Sequence, residues 1–443
     1  MGVKLNKSEV ARMRIAVIGG GVSGLTCARS LDGDHEVTLF EKNSYLGGHT
    51  HTHLFSRGNQ VHTVDSGFIV FNKKTYPNFC KLLNELRVPY KISDMSFSMN
   101  CERSGVEYNG TDLNRLFSQR RNLVRPSFYR LIWGILRFNK AAKRWLKSPS
   151  ETETLGAFLA RAAVPKSTQE HYVLPMGAAV WSTSPSQMLR MPAFFFLKFF
   201  ENHGFLNVDD RPEWYVVQGG SKTYVEAIRS QFKGKVHLGT SVQKVRRTKS
   251  YCIVVTEDGE HQFDYVVFAC HSNQALRLLE NCTPEERDIL SALPYQRNTA
   301  VIHSDASYMP KTQRAWASWN YKRSTSEPDR LCVTYHMNRL QTFESKRPFF
   351  VTLNPPTPIE SEYVYKKVTY EHPLFLENSI RAQKRWHTIS GDRRTFYCGA
   401  YWRYGFHEDG VWSALRVADQ VNRIASKSAV GHTTSEQVHH VAC

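Results

Sequence analysis

The fold is decided by residues 14–53, RIAVIGGGVSGLTCARSLDGDHEVTLFEKNSYLGGHTHTH. RIAVIGG is a short apolar run closed by glycine, the pattern of a buried parallel strand. VSGLTCARSL follows with helical spacing, placing Leu25, Ala28 and Leu31 on one side. HEVTLFE is a second β-rich run, so the segment predicts strand–turn–helix–strand, the opening of a βαβ unit.

Gly19, Gly21 and Gly24 form G-x-G-x-x-G at the turn. The first glycine permits a tight turn, the second admits a pyrophosphate to the backbone, and the third allows helix and strand to pack closely. The helix N-terminus adds partial positive charge for the phosphates. Glu41 ends the second strand, at the distance where a carboxylate accepts hydrogen bonds from a ribose diol. Ser23 in the turn and Lys42 beside Glu41 are counted with the cofactor-binding residues. A glycine motif alone is weak evidence, but strand, helix and acid in register make it strong.

Gly47 and Gly48 are a second glycine pair, able to approach the pyrophosphate from the opposite side. This double arrangement resembles the FAD-binding proteins of the flavin amine oxidase superfamily, which includes amine oxidases, protoporphyrinogen oxidases and carotenoid desaturases. The chain has no second G-x-G-x-x-G, which points to one tightly held FAD and no dedicated nicotinamide domain. In the superfamily a C-terminal loop and helix pass under the flavin. The resemblance implies that role for Gly399 and for backbone amides at Asp409, Gly410 and Val411, since a helix N-terminus stabilises the charge of reduced flavin. Ala400 stands where many members carry an acid for the ribityl chain, and His49 where many carry arginine. Ser66 and Gly67 are expected beside the isoalloxazine, and Val242 on the strand that reads the adenine.

The likeness narrows over residues 13–425. LGGHTHT, VDSGFIVFNKKTYPNF, WYVVQGGSKTYV and CGAYWRYGFHEDG resemble the FAD/NAD-binding proteins found beside, or fused to, cyclopropane fatty acid synthases. That resemblance implies redox chemistry on membrane acyl chains, including desaturation of methylated chains by hydride transfer to flavin N5. It also implies a functional link to a cyclopropane synthase-like methyltransferase. Oxidation of a soluble amine, and a flavin-containing accessory subunit of a lipid methyltransferase, stay open as alternatives.

The expected fold class is α/β: a discontinuous Rossmann-like FAD domain with an inserted α+β substrate domain, amine oxidase/protoporphyrinogen oxidase-like. The FAD domain takes residues 13–75, 215–285 and 394–426, the substrate domain 76–214 and 286–393, and a flexible tail 427–443. The last helix is expected to turn Val411, Leu415, Ala418 and Val421 inward.

The formal net charge of +18 favours an anionic partner. From Leu113 to Ser150 there are ten Lys/Arg and no Asp/Glu, counted from the sequence. FYRLIWGILRFNKAAKRWLK (128–147) mixes apolar and basic residues in a way that suits an anionic lipid surface, or equally a core helix with a solvated basic face. MPAFFFLKFFENHGFL (191–206) carries six Phe, either the wall of an acyl channel or ordinary core. Charge is the sole argument for nucleic acid, and no module for it is recognisable, so no nucleic-acid partner is expected.

Nine cysteines without a C-x-x-C pair suit reduced thiols in a cytoplasmic protein. MGVKLNKSEVARM has no apolar signal core, and Met13 is a candidate start. The protein is therefore expected in the cytoplasm or peripherally on the inner membrane face, with an acyl lipid or other apolar substrate. His49, His51 and His53 alternate, yet no carboxylate or Cys completes a metal set, and none is expected. Trp402, Tyr404 and His407 precede the flavin-facing helix and are the candidate catalytic residues, as aromatic wall or proton acceptor. Cys398 is a conceivable covalent flavin anchor.

Overall fold

A computed structural model describes residues 12–57, 60–207 and 212–436. The expected signal-free start (residues 1–11) and the end of the expected tail (437–443) lie outside the described residues. The chain forms two compact units: residues to Thr50, Tyr224–Leu293 and from Arg381 make the first, His51–Thr223 and Pro294–Ile380 the second.

The first unit is built on a parallel five-stranded sheet. Strand β1 (Arg14–Ile18) leads through helix α1 (Val22–Leu31) to β2 (Glu36–Phe40), and β3 (Lys235–His237), β4 (Tyr265–Phe268) and β5 (Thr395–Tyr397) complete the order β3-β2-β1-β4-β5. Val17 lies between Leu39 on one side and Val267 on the other. All three are buried, as expected of a strand covered on both faces. The chain reverses its winding direction at β1, so a ligand crevice opens at the carboxyl ends of β1 and its neighbours. A final helix, α2 (His407–Glu436), packs against α1. Val411, Ala418 and Val421 are buried as the periodicity expects, but Leu415 is 37% exposed and Ala414 takes the inward place. The helix continues through most of the expected tail, from 427 to Glu436.

The second unit holds a seven-stranded sheet running Val364–Pro373, Tyr295–His303, Phe350–Leu353, Val333–His336, Trp319–Arg323, Phe97–Cys101, Val106–Asn109. Among the described residues, only Trp319–Arg323 against Phe97–Cys101 is parallel within it. The sequence puts the boundaries after residues 75, 214, 285 and 393; the compact units divide after 50, 223, 293 and 380. The reason for the first shift is the hairpin of Thr52–Arg57 and Gln60–Asp65. Its buried Asp65 accepts from the Ser221 amide (3.1 Å), Ser221 Oγ (2.7 Å) and Gln341 Nε2 (2.9 Å), which ties the hairpin into the second unit.

Of the phenylalanines in 194–200, four are core and Phe194 is 39% exposed. Phe195, Phe196, Phe199 and Phe200 are buried. Phe196 stacks on Phe200 with ring centres 4.1 Å apart, and Phe195 on Phe375 at 4.9 Å. Of the two readings of this stretch, core packing holds for these four rings.

The second unit also buries histidines. Burial holds His203, His303 and His336 down at about 4 and His53 at about 3. Between these values and the ordinary value near 6.5, each stays neutral when folded but takes a proton when unfolded. Stability is therefore complete above about pH 6.5 and falls on acidification, by about 1.4 kcal/mol per pH unit per histidine. Asp65 opposes this, because burial pushes its carboxyl up to about 6. Four histidines outweigh one aspartate, so the unfolding midpoint should drop steeply between about pH 6.5 and 4.5. A flat midpoint in chemical denaturation across that range would show that these imidazoles are solvated.

Candidate functional site: a dinucleotide cradle

The glycine loop sits at the carboxyl end of β1 and its geometry explains each glycine. Gly19 has φ +108°, a conformation that disfavours a side chain. A Cβ on Gly24 would lie 1.8 Å from the Gly19 carbonyl oxygen, so only glycine lets α1 start this close to the strand. Gly21 is different: a Cβ there would meet nothing nearer than the Gly47 carbonyl oxygen at 4.0 Å. The space over Gly21 is open from the protein side, where a pyrophosphate would approach.

The second glycine pair closes on the first. The Gly47 amide donates to the Gly20 carbonyl at 2.8 Å, and a Cβ on Gly48 would come within 3.2 Å of Gly21 Cα. Helix α1 begins without a side-chain cap and without an acid in its first turn. Its leading amides suit an anion there. Glu41, buried at the end of β2, accepts from the Gly20 amide (2.7 Å) and the Asn43 amide (2.8 Å). Those bonds fix its carboxylate beside the glycine loop with acceptor capacity left for a diol. The Thr240 amide donates to the Glu41 carbonyl at 3.0 Å, and Val242, two residues on, is buried. Lys42 is exposed. These residues fit the ADP half of a dinucleotide.

The other end of the site is formed by 399–413. Ser413 Oγ accepts from the Gly399 amide at 2.9 Å and can donate to the carbonyls of Gly399 and Gly410. The start of α2 requires a correction. The helix begins at His407, and the Gly410 amide donates to the Phe406 carbonyl at 3.0 Å within it. Gly410 and Val411 therefore do not offer the helix-terminal amides expected of them; His407, Glu408 and Asp409 occupy the leading turn. Gly410 instead serves packing, since a Cβ would come 2.8 Å from both Val22 Cγ1 and Ser23 Oγ of α1. Asp409 accepts from the Phe406 amide at 2.9 Å and faces Arg403 at 3.7 Å. Burial pushes its carboxyl up to about 7, against the pull of Arg403.

His407 is buried, with Nε2 2.9 Å from Thr50 Oγ1 and 3.1 Å from Tyr224 OH; Thr50 and Tyr224 also hydrogen-bond each other. Burial, and the nearby His49, hold its imidazole well below the ordinary value. It is thus a neutral partner in a fixed cluster and a weak proton acceptor. Trp402 is 4% exposed and its indole N–H has no hydrogen-bond partner among the described residues. Tyr404 is half-buried, and burial raises its phenol. Cys398 is fully buried beside Cys27, which together with burial raises its thiol well above the usual range, so it is not presented for covalent attachment.

Sequence reasoning does not find Thr50 and Tyr224. Tyr224 lies 183 residues from His407, and no local pattern links them.

Ser66 and Gly67 belong to the second unit. There Ser66 Oγ contacts His53 Nε2 (2.8 Å) and Tyr370 OH (2.5 Å), and Tyr370 OH reaches His51 Nδ1 (3.2 Å). The His51 and His53 rings are 4.0 Å apart. The alternating histidines are thus divided, with His49 in the first unit. Among the described residues, no group of three or more His, Cys, Asp or Glu is placed to hold a metal ion.

The family of flavin containing amine oxidoreductases matches residues 22–305, more than half of the chain. A tryptophan 2-monooxygenase of Allorhizobium ampelinum is 43% identical over 56 residues, 12% of this chain and 8% of its own. A flavin-dependent L-tryptophan oxidase of Lentzea aerocolonigenes is 44% identical over 55 residues, 12% of each chain. The chain thus spans about a tenth of the length of these curated relatives. Similar solved structures include a fatty acid isomerase from P. acnes that produces CLA (TM-score 0.66, 16% identity, 94% of this chain and 99% of that one). Another is cyclohexylamine oxidase from Brevibacterium oxydans (TM-score 0.67, 12% identity, 93% and 99%). At such identities the likeness is one of fold.

Proposed function

This chain belongs to the flavin containing amine oxidoreductase family, and from that premise we propose that its substrate is an acyl chain of a membrane phospholipid, in which it introduces a double bond. It is an FAD-dependent oxidoreductase; the acyl substrate is our reading. The observation that carries it is electrostatic. The formal charge is +18, with ten basic and no acidic residues from Leu113 to Ser150. An amine substrate is itself a cation, and a strongly basic enzyme repels it while drawing anionic lipid. The shared fold with a fatty acid isomerase supports the reading.

FAD, when bound, accepts a hydride from carbon. The chain's own residues do the rest. Gly19–Gly24, Gly47–Gly48 and Glu41 would hold the ADP end. The neutral His407–Thr50–Tyr224 cluster fixes the turn before α2 without bringing a charge into it. A cyclopropane synthase-like methyltransferase, which methylates acyl chains, is the proposed supplier of a branched substrate; the sequence motifs support this link.

The test is anaerobic mixing of the holoprotein with dispersed phospholipids bearing methylated or plain unsaturated chains, and separately with polyamines. Bleaching of flavin absorbance by lipid is expected, with a product lighter by two hydrogens in mass spectrometry. Bleaching by amines alone would replace this reading with amine oxidation, and bleaching by neither would favour an accessory flavoprotein.

A further inference from the structure

Helix Pro126–Trp145 has one apolar stripe too many. Phe128, Leu131, Phe138 and Ala142 are buried, and Gly134 packs so closely that a Cβ would come 2.0 Å from Thr168 Oγ1. That stripe satisfies the core, and a surface helix needs no other. Yet Tyr129, Trp133 and Leu136 form a second stripe on the opposite side, 47–55% exposed. The turn Arg120–Val124, just before the helix, adds Leu123 and Val124, the latter 85% exposed. Leu123, Val124, Pro126, Tyr129, Arg130 and Trp133 line one surface notch of about 500 Å³.

This face is held in shape rather than loose. Tyr129 OH donates to the Leu123 carbonyl at 2.8 Å, and Phe117 packs on both Phe128 and Tyr129. Its charge is of one sign. Arg120, Arg121, Arg130, Arg137 and Lys140 are all exposed around the apolar stripe. The Arg137 guanidinium lies over the Trp133 ring at 5.3 Å, keeping its charge level with the indole. An adjoining notch is lined by Arg103, Arg121 and Arg125 together with Glu102, whose carboxylate is paired with Lys322 at 3.2 Å.

We propose that this face docks the second unit onto a bilayer containing anionic phospholipid, with Val124, Tyr129 and Trp133 entering the headgroup–acyl boundary. The basic residues that frame them meet lipid phosphates. Apolar side chains ringed by snorkelling Lys/Arg, with Trp and Tyr at the boundary, are the chemistry of a helix lying in a membrane interface. No helix among the described residues is long and apolar enough to cross a membrane. The sequence points to residues 128–147 as a whole. The structure moves the contact to the N-terminal half and the preceding turn, because Phe128, Leu131 and Phe138 face the core. The inference extends the lipid reading of the function and rests on that reading for its purpose, though not for its test.

The full-length holoprotein is co-sedimented with vesicles of phosphatidylcholine alone, or with about 30% phosphatidylglycerol. Binding to the anionic vesicles is expected, weakening as salt shortens the screening length. Val124→Glu with Trp133→Ser should reduce partitioning at least about tenfold, with flavin content and melting temperature unchanged, because both side chains point outward. Arg130→Gln with Arg137→Gln should lower binding to anionic vesicles on the order of thirtyfold and leave neutral vesicles unaffected. Equal binding of the wild type to both vesicle types, or variants that bind as the wild type does, would overturn the proposal. So would a wild-type dimer in sedimentation that Val124→Glu/Trp133→Ser dissociates, since the face would then belong to a second copy. Binding without any lipid turnover overturns the acyl-substrate reading alone. Turnover of detergent-dispersed lipid by a wild type that ignores vesicles overturns the docking alone.

Discussion

Gly24→Ala should cost the protein both its flavin and much of its stability, whereas Gly21→Ala should cost it the flavin alone. A methyl at position 24 has no rotamer by which to escape: its place is set by the backbone, 1.8 Å from the Gly19 carbonyl oxygen and 3.2 Å from Ala269 Cβ. Helix α1 would have to move off β1, and overpacking of this severity costs about 3 kcal/mol. At Gly21 the backbone is extended (φ −75°), which any residue adopts, and the nearest protein atom would be 4.0 Å from the added methyl. The apoprotein should therefore fold normally. The methyl would fill the space through which a pyrophosphate reaches the loop amides, so flavin content on purification should fall at least about tenfold. Absorbance at the flavin band and the unfolding midpoint, measured on both variants, separate the two effects. Full flavin occupancy in Gly21→Ala would place the phosphates elsewhere.

Glu286→Ala should be the most damaging change away from the cradle, at about 3–5 kcal/mol. Glu286 and Arg247 form an ion pair whose side chains are 2% and 1% exposed. Arg247 Nη2 donates to Glu286 Oε2 at 2.9 Å, Tyr397 OH donates to Oε1 at 2.7 Å, and the Thr283 amide donates to Oε2 at 2.8 Å. Burial by itself would raise the Glu286 carboxyl, but the Arg247 guanidinium and these donors hold it below the usual range. Removing the glutamate leaves a buried guanidinium, a phenol and an amide without their acceptor. Arg247→Leu with Glu286→Leu removes both charges and should recover the part of the loss due to the unpaired guanidinium, leaving the Tyr397 phenol and the Thr283 amide still without an acceptor. Denaturant midpoints decide it: a double variant as unstable as the single one would show that the pair matters for its shape and not for its charge.

The contrast between what the sequence discloses and what it does not has a physical pattern. The glycine loop, Glu41 and the second glycine pair are legible because each acts within a short stretch, where spacing alone sets geometry. Helix 126–145 is legible as amphipathic, but its two apolar stripes cannot be assigned to core or solvent from spacing. That choice depends on Thr168 and Pro165 packing at Gly134, residues with no local signature. The role of Gly410 is hidden for a related reason. A glycine near a helix start suggests an open amide, and only the register of α2 reveals that the amide is used inside the helix. The His407–Thr50–Tyr224 cluster draws on three distant stretches, and the alternating histidines read as one pattern although a unit boundary falls after Thr50.

The parallel sheet also sets a timetable for biosynthesis. The glycine loop is made within the first few dozen residues, but its backing comes from Ala269 and its flank from Gly410. At roughly 5–20 residues per second, the ribosome delivers that last piece roughly 20–80 s after the loop emerges. Until β4 (Tyr265–Phe268) has been made, β1, apolar on both faces, has only β2 beside it. Such long-range strand pairing is slow and leaves sticky edges exposed. The cradle is thus complete only once the chain has been made through α2.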